Sequence, residues 1–154
     1  MIVRWLLAAI HLSAFGAAFA AIAARNRALR RVAASAQPAD LPGVFKADAV
    51  WGVSALVLIA TGLWRAFGGL EKGSAYYAHA PLFHLKMGAL VLIMLLEIAP
   101  MIGLIRWRIA ARQQRMPDLS RAGSYIRIGH TQAMLVILIV FAASGMARGI
   151  GLAG

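Results

Sequence analysis

The chain has 154 residues, of which 62% are hydrophobic and only 14% charged, and its 16 Lys and Arg outnumber 5 Asp and Glu. Soluble domains run at about 45–50% apolar and about 25% charged, so this composition excludes a disordered segment, an ordinary soluble enzyme and a nucleic-acid module. At about 20 apolar residues per crossing, the length suffices for four membrane helices and no separate soluble domain, while the lack of cysteine excludes disulfides, iron–sulfur clusters and Cys-ligated zinc.

The first apolar run spans residues 2–24 and is broken only by Arg4, His11 and Ser13. It is too long for the apolar stretch of a secretory signal and stops at the basic segment Arg25–Arg31, so it is expected to remain as a membrane anchor. The second run, 44–67, has Lys46 and Asp48 at its start and Trp51 and Trp64 towards its ends. The third, 82–105, begins with His84 and Lys86 and carries Glu97 and Pro100 deep inside. The fourth, 126–146, has Arg127 and His130 in its first turns and Arg148 beyond its exit.

Helices are the only structures that satisfy each of these backbones within lipid, a closed barrel apart. Their short connections make neighbours antiparallel. The expected fold is therefore an all-α integral membrane four-helix bundle, up-down-up-down, forming one transmembrane domain over residues 1–154. Gly52, Ser54, Gly62, Gly88, Gly103 and Gly129 are candidates for close helix approach. The connections 25–46 and 106–127 hold eleven Lys and Arg, against five elsewhere. The positive-inside rule then places both basic connections in the cytoplasm of a bacterium and both termini in the periplasm, with anionic lipid head groups as partners of the basic faces.

Ionisable residues at membrane depth are expensive and are candidate functional sites. Counting about 1.5 Å per residue, His11 lies about 13 Å from the outer surface, His84 about 3 Å and Lys86 about 6 Å, while Glu97, Asp48 and His130 all lie about 6–8 Å from the inner face. Asp48, Glu97 and His130 thus form a candidate buried polar cluster. Glu97 serves either a proton relay or ligand role or plain interhelical bonding to His130 or Gln132, and Asp48 either shares the relay or simply answers Lys46 or the Arg-rich connection. Lys86 either snorkels to the interface or faces a site; His11 is either a core histidine bonded to a neighbouring helix or a ligand. Residues 62–86 combine Arg65, Glu71, Lys72, several glycines and the pair Tyr76–Tyr77, a composition that suits either a lid over the bundle mouth or an interfacial aromatic belt.

The runs GLWRAFGGLEKGSAYY and LFHLKMGALVLIMLLEIAPMIGLIRWR resemble an uncharacterised family of small four-helix bacterial inner-membrane proteins, a domain of unknown function. The resemblance covers most of the chain. A helix-one histidine with HLKMGALVLIMLL opening the third helix also looks distantly like the four-helix haem-associated membrane protoporphyrinogen oxidases and the copper-resistance membrane domains. That likeness implies haem b, with His11 as an axial ligand and Lys86 as the functional lysine. Arg65 joins Lys86 at the periplasmic mouth, where both steer propionates or an anionic substrate. A bis-histidine site is disfavoured, because His11 differs in depth from His84 and His130 by about 10 Å or more, beyond what a tilt of about 20° closes. Met94 or Met134 as a second ligand, a five-coordinate haem, or copper on His11, Met87 and Met94 stay open. The expected function is haem-b redox or electron transfer. Its rivals are proton-coupled transport or permeation through Asp48, Glu97 and His130, and a non-catalytic subunit that pairs with another copy or another membrane protein.

Overall fold

The computed structural model describes residues 1–68 and 81–150. Four helices account for most of them: α1 Ile2–Ser35, α2 Leu41–Phe67, α3 Pro81–Arg112 and α4 Ala122–Ala147, with a 3-10 turn Pro38–Asp40 leading into α2. Each is long and apolar enough to cross a membrane, and no strand occurs among the described residues. The architecture is the all-α bundle that the four apolar runs dictate.

All four helices are longer than their apolar runs, two of them by a turn or more at the C-terminal end. Helix α1 continues to Ser35 and α3 to Arg112, because Arg25–Ser35 and Arg106–Arg112 contain neither glycine nor proline and are rich in Arg and Ala, both good helix formers. At 34 residues, α1 measures about 51 Å, against about 30 Å of hydrocarbon. Its last turns therefore stand in the head-group layer. The basic connections shrink to residues 36–40 and 113–121. The first is closed by Ala36, left-handed at φ 51°, whose N–H donates to the Val32 carbonyl at 2.9 Å, and by the Ser35 hydroxyl, which donates to Asp40 Oδ2 at 2.6 Å. In the second, the Ser120 N–H and hydroxyl donate to Asp118 at 2.9 and 2.8 Å. These bonds, the backbone one first, hold the Asp118 carboxyl below the usual carboxylate range.

Helix α1 is central. It packs along α2 and α4, and α3 packs along α4, whereas α2 and α3 scarcely meet. The buried positions follow three- and four-residue steps, as on α1 at Ala14, Ala18, Ala21, Arg25, Leu29 and Val32, and on α4 at Ala122, Tyr125, Gly129, Gln132 and Val136. They form two apolar clusters. One, at the basic end, joins Leu29, Val32, Val44, Leu104, Trp107 and Tyr125; the other joins Ala18, Ala21, Ile22, Trp51, Ile93 and Val136. Large apolar side chains such as Trp5, Leu12, Val53 and Phe141 stay exposed on the outside of the bundle, where lipid is their solvent.

Two of the six small residues expected at interfaces set helix spacing. Tyr125 of α4 lies across Gly103, where an added Cβ would meet its ring, and Asn26 of α1 lies across Gly129 in the same way. Gly62 faces the His11 ring, 3.4 Å from where its Cβ would stand. Ser54 is buried. Gly52 and Gly88 face open space, so they do not serve close helix approach within the chain.

Candidate functional site

Between the two apolar clusters every helix presents a polar residue at the same level. Arg25 follows Ile22 and precedes Leu29 on α1, and its side chain is wholly buried. From α3, Glu97 receives it in a two-pronged bond: Nη1 to Oε1 at 2.6 Å and Nη2 to Oε2 at 3.0 Å. From α2, Asp48 Oδ1 accepts from Nη1 at 3.1 Å. From α4, Gln132 Oε1 accepts from Nη2 at 2.9 Å, and its amide nitrogen donates to Glu97 Oε2 at 2.7 Å. The Trp51 ring lies 5.9 Å from the guanidinium carbon, within reach of a cation–π attraction.

A second cation completes the set. Arg108, three turns below Glu97 on α3, donates to Asp48 Oδ2 at 2.8 Å and to the Phe45 carbonyl at 3.1 Å. Two guanidiniums and two carboxylates balance, and both oxygens of each carboxylate are engaged. An isolated charge at this depth would be costly; pairing each guanidinium with a carboxylate is how such groups are kept. Two buried atoms stay outside the bonding among the described residues, Nε of Arg25 and Oδ1 of Asn26.

The sequence places Asp48, Glu97 and His130 together. The structure joins the first two through Arg25 and puts His130 elsewhere: it is exposed, with Nε2 3.1 Å from Arg30 Nη2. The reason is helical phase. His130 precedes Gln132 by two residues, about 200° around the helix, so only one of them can face inward, and Gln132 belongs to the buried stripe. Arg25 and Arg108 read from sequence as topological charges. The missed signal was periodicity, because Arg25 stands on the same three- and four-residue steps as the buried alanines of α1.

The remaining candidates lie towards the other end. His11 is half-buried on α1, and its Nδ1 is 2.7 Å from Thr61 Oγ1 on α2. The Thr61 hydroxyl donates to the Val57 carbonyl at 2.6 Å, so its single proton is committed and His11 Nδ1 must be the donor. Arg65 follows Thr61 by one turn on α2 and Lys86 occupies the second turn of α3, both half-buried; His84 is exposed and edge-on to Phe83 at 6.1 Å. Glu71, Lys72 and Tyr76–Tyr77 of the expected lid lie outside the described residues. Among the described residues no three His, Asp or Glu are grouped to hold a metal ion.

Four membrane-length helices closed around a buried charge network define a polytopic membrane protein. The chain belongs to the family described as "Predicted membrane protein (DUF2214)", which matches residues 3–151. No curated protein and no solved structure matches it.

Proposed function

We propose that the protein is a multi-pass protein of the bacterial cytoplasmic membrane, with both termini periplasmic, that holds haem b on His11 and serves a redox or electron-transfer role. The observation that carries this reading is the chain from His11 to Thr61 to the Val57 carbonyl. A metal-ligating histidine characteristically donates its second ring N–H to a neighbouring acceptor, which fixes the tautomer and the ring plane. His11 has that arrangement, and the donor set fits a haem axial ligand. Ala8, Ala14 and Ala18, at three- and four-residue spacing on α1, and Gly62 of α2 keep the surroundings of the ring small. Bound haem would supply one-electron chemistry. Thr61 orients the ligand, while Arg65 and Lys86 supply positive charge at the same end for propionates or an anionic substrate. The orientation follows from charge: with Arg25 and Arg108 consumed inside the bundle, nine Lys and Arg still stand at the basic end, against five.

Proton-coupled permeation has less to stand on. Glu97 and Asp48 already accept bonds at every oxygen, and His130 lies outside their network.

Reduced-minus-oxidised spectra of the purified protein test the haem assignment. Wild-type protein and His84→Ala are expected to show a haem Soret band, and His11→Ala to lose it while its helical circular dichroism stays intact. Thr61→Val should retain haem with a displaced spectrum. A colourless wild-type protein, or an unchanged spectrum in His11→Ala, overturns the proposal.

A further inference from the structure

At the basic end, where α2 begins and α3 ends, the two helices border an open, largely apolar recess of about 460 Å³. Leu41, Pro42 and Phe45 line one side and Ala111 the other, with Arg115 at the outer end. The recess sits on the seam where α2 and α3 scarcely pack.

Its level in the membrane follows from helix geometry. Phe45 stands one residue inside the apolar run that begins at Val44, hence at the hydrocarbon boundary. Ala111 lies six residues beyond Ile105, the end of the apolar run of α3, so about 9 Å further out, in the phosphate layer. By the same count Leu41 and Pro42 precede Val44 by three and two residues, so the apolar lining runs from the hydrocarbon boundary at Phe45 out to the glycerol level, and Arg115 lies beyond it. Arg108 lies over the Phe45 ring at 5.3 Å and is partly exposed, and Arg112 follows it by one turn on the same face of α3. Asp48 is paired with Arg25 and Arg108; Asp40, whose Oδ2 accepts from the Ser35 hydroxyl, keeps its charge and is outnumbered by Arg112 and Arg115. The local charge is positive.

We propose that this recess is a seat for one anionic glycerophospholipid. Its glycerol and upper acyl carbons lie against Leu41, Pro42 and Phe45, and its phosphate meets Arg112 and Arg115. An apolar tail joined to an anionic head matches both ends of the recess, whereas a soluble anion matches only the outer one. Selectivity comes from charge, since any lipid tail satisfies the apolar wall equally. The seat is independent of the His11 reading, which concerns the opposite end of the bundle.

The test uses the full chain in neutral detergent, titrated with phosphatidylglycerol, phosphatidylcholine or inorganic phosphate, with thermal midpoint and native mass spectrometry as readouts. Phosphatidylglycerol is expected to raise the midpoint saturably and to remain bound at one molecule per chain, with phosphatidylcholine and phosphate inert. Arg112→Gln and Arg115→Gln should each weaken the response about five-fold, from the contribution of a single basic residue to anionic-lipid binding. Arg27→Gln and Arg31→Gln, exposed on α1, should leave it unchanged. Equal stabilisation by phosphatidylcholine or by inorganic phosphate, or equal losses from the Arg27 and Arg31 variants and the Arg112 and Arg115 variants, overturns the seat. Native mass spectra of the wild type decide the case should an arginine variant fail to fold, since retention of no lipid, or of phosphatidylcholine equally, refutes it.

Discussion

Arg25 shows how a single guanidinium organises an interior. Its planar fork matches the Glu97 carboxylate with two parallel bonds and still reaches Asp48 and Gln132, a geometry that a lysine ammonium cannot reproduce. Removing one partner strands the others without water. Glu97→Gln and Arg25→Met should therefore each cost about 3–5 kcal/mol, and Arg25→Lys should recover only part of that loss. Melting in detergent measures these values, and the double variant Arg25→Met/Glu97→Gln should lose much less than the two single losses combined. The cycle between Glu97→Gln and His130→Ala should be additive instead, since those residues share no bond. Depth was legible here from sequence alone: Asp48 and Glu97 do lie at one level. What sequence depth lacks is angle, and angle decided between His130 and Gln132. The identity of the cation was hidden for another reason, because Arg25 opens a run of basic residues whose other members serve as solvated charges.

At the level of the helices, the apolar runs located all four elements, and the errors fell at the ends, where helix continues into the head-group layer without an apolar signal. The glycines divide by what stands opposite them. Gly103 and Gly129 sit under a rigid ring and a buried amide, so adding a methyl group forces α4 away from α3 or α1. Gly103→Ala should destabilise by about 1–3 kcal/mol, the usual range for an overfilled contact. Gly52→Ala, facing open space within a helix, should be neutral or stabilising by up to about 1 kcal/mol. Thermal midpoints of the two variants side by side check the contrast; equal shifts would show that Tyr125 yields freely. From sequence these glycines are indistinguishable, because the discriminating atom lies on another helix.

For the molecule as a whole, charge asymmetry and helix parity together fix an arrangement with both termini on one face and the basic connections on the other. Alkaline phosphatase fused after Gly154 is expected to be active and a cytoplasmic reporter fused there silent; the reverse pattern inverts the orientation. The bundle also divides naturally into two hairpins, α1 with α2 and α3 with α4, that meet chiefly along α1 and α4. Each hairpin contributes one arginine and one carboxylate to the interior network, and the main bonds run between them: Arg25 of the first grips Glu97 of the second, and Arg108 of the second grips Asp48 of the first. Within the second hairpin Glu97 and Arg108 stand eleven residues apart, about 16 Å along one helix, so they cannot neutralise each other. The two halves therefore fit as plug and socket: the first carries Arg25 and Asp48 already bonded to each other, and Glu97 of the second is bonded to its cation across the seam.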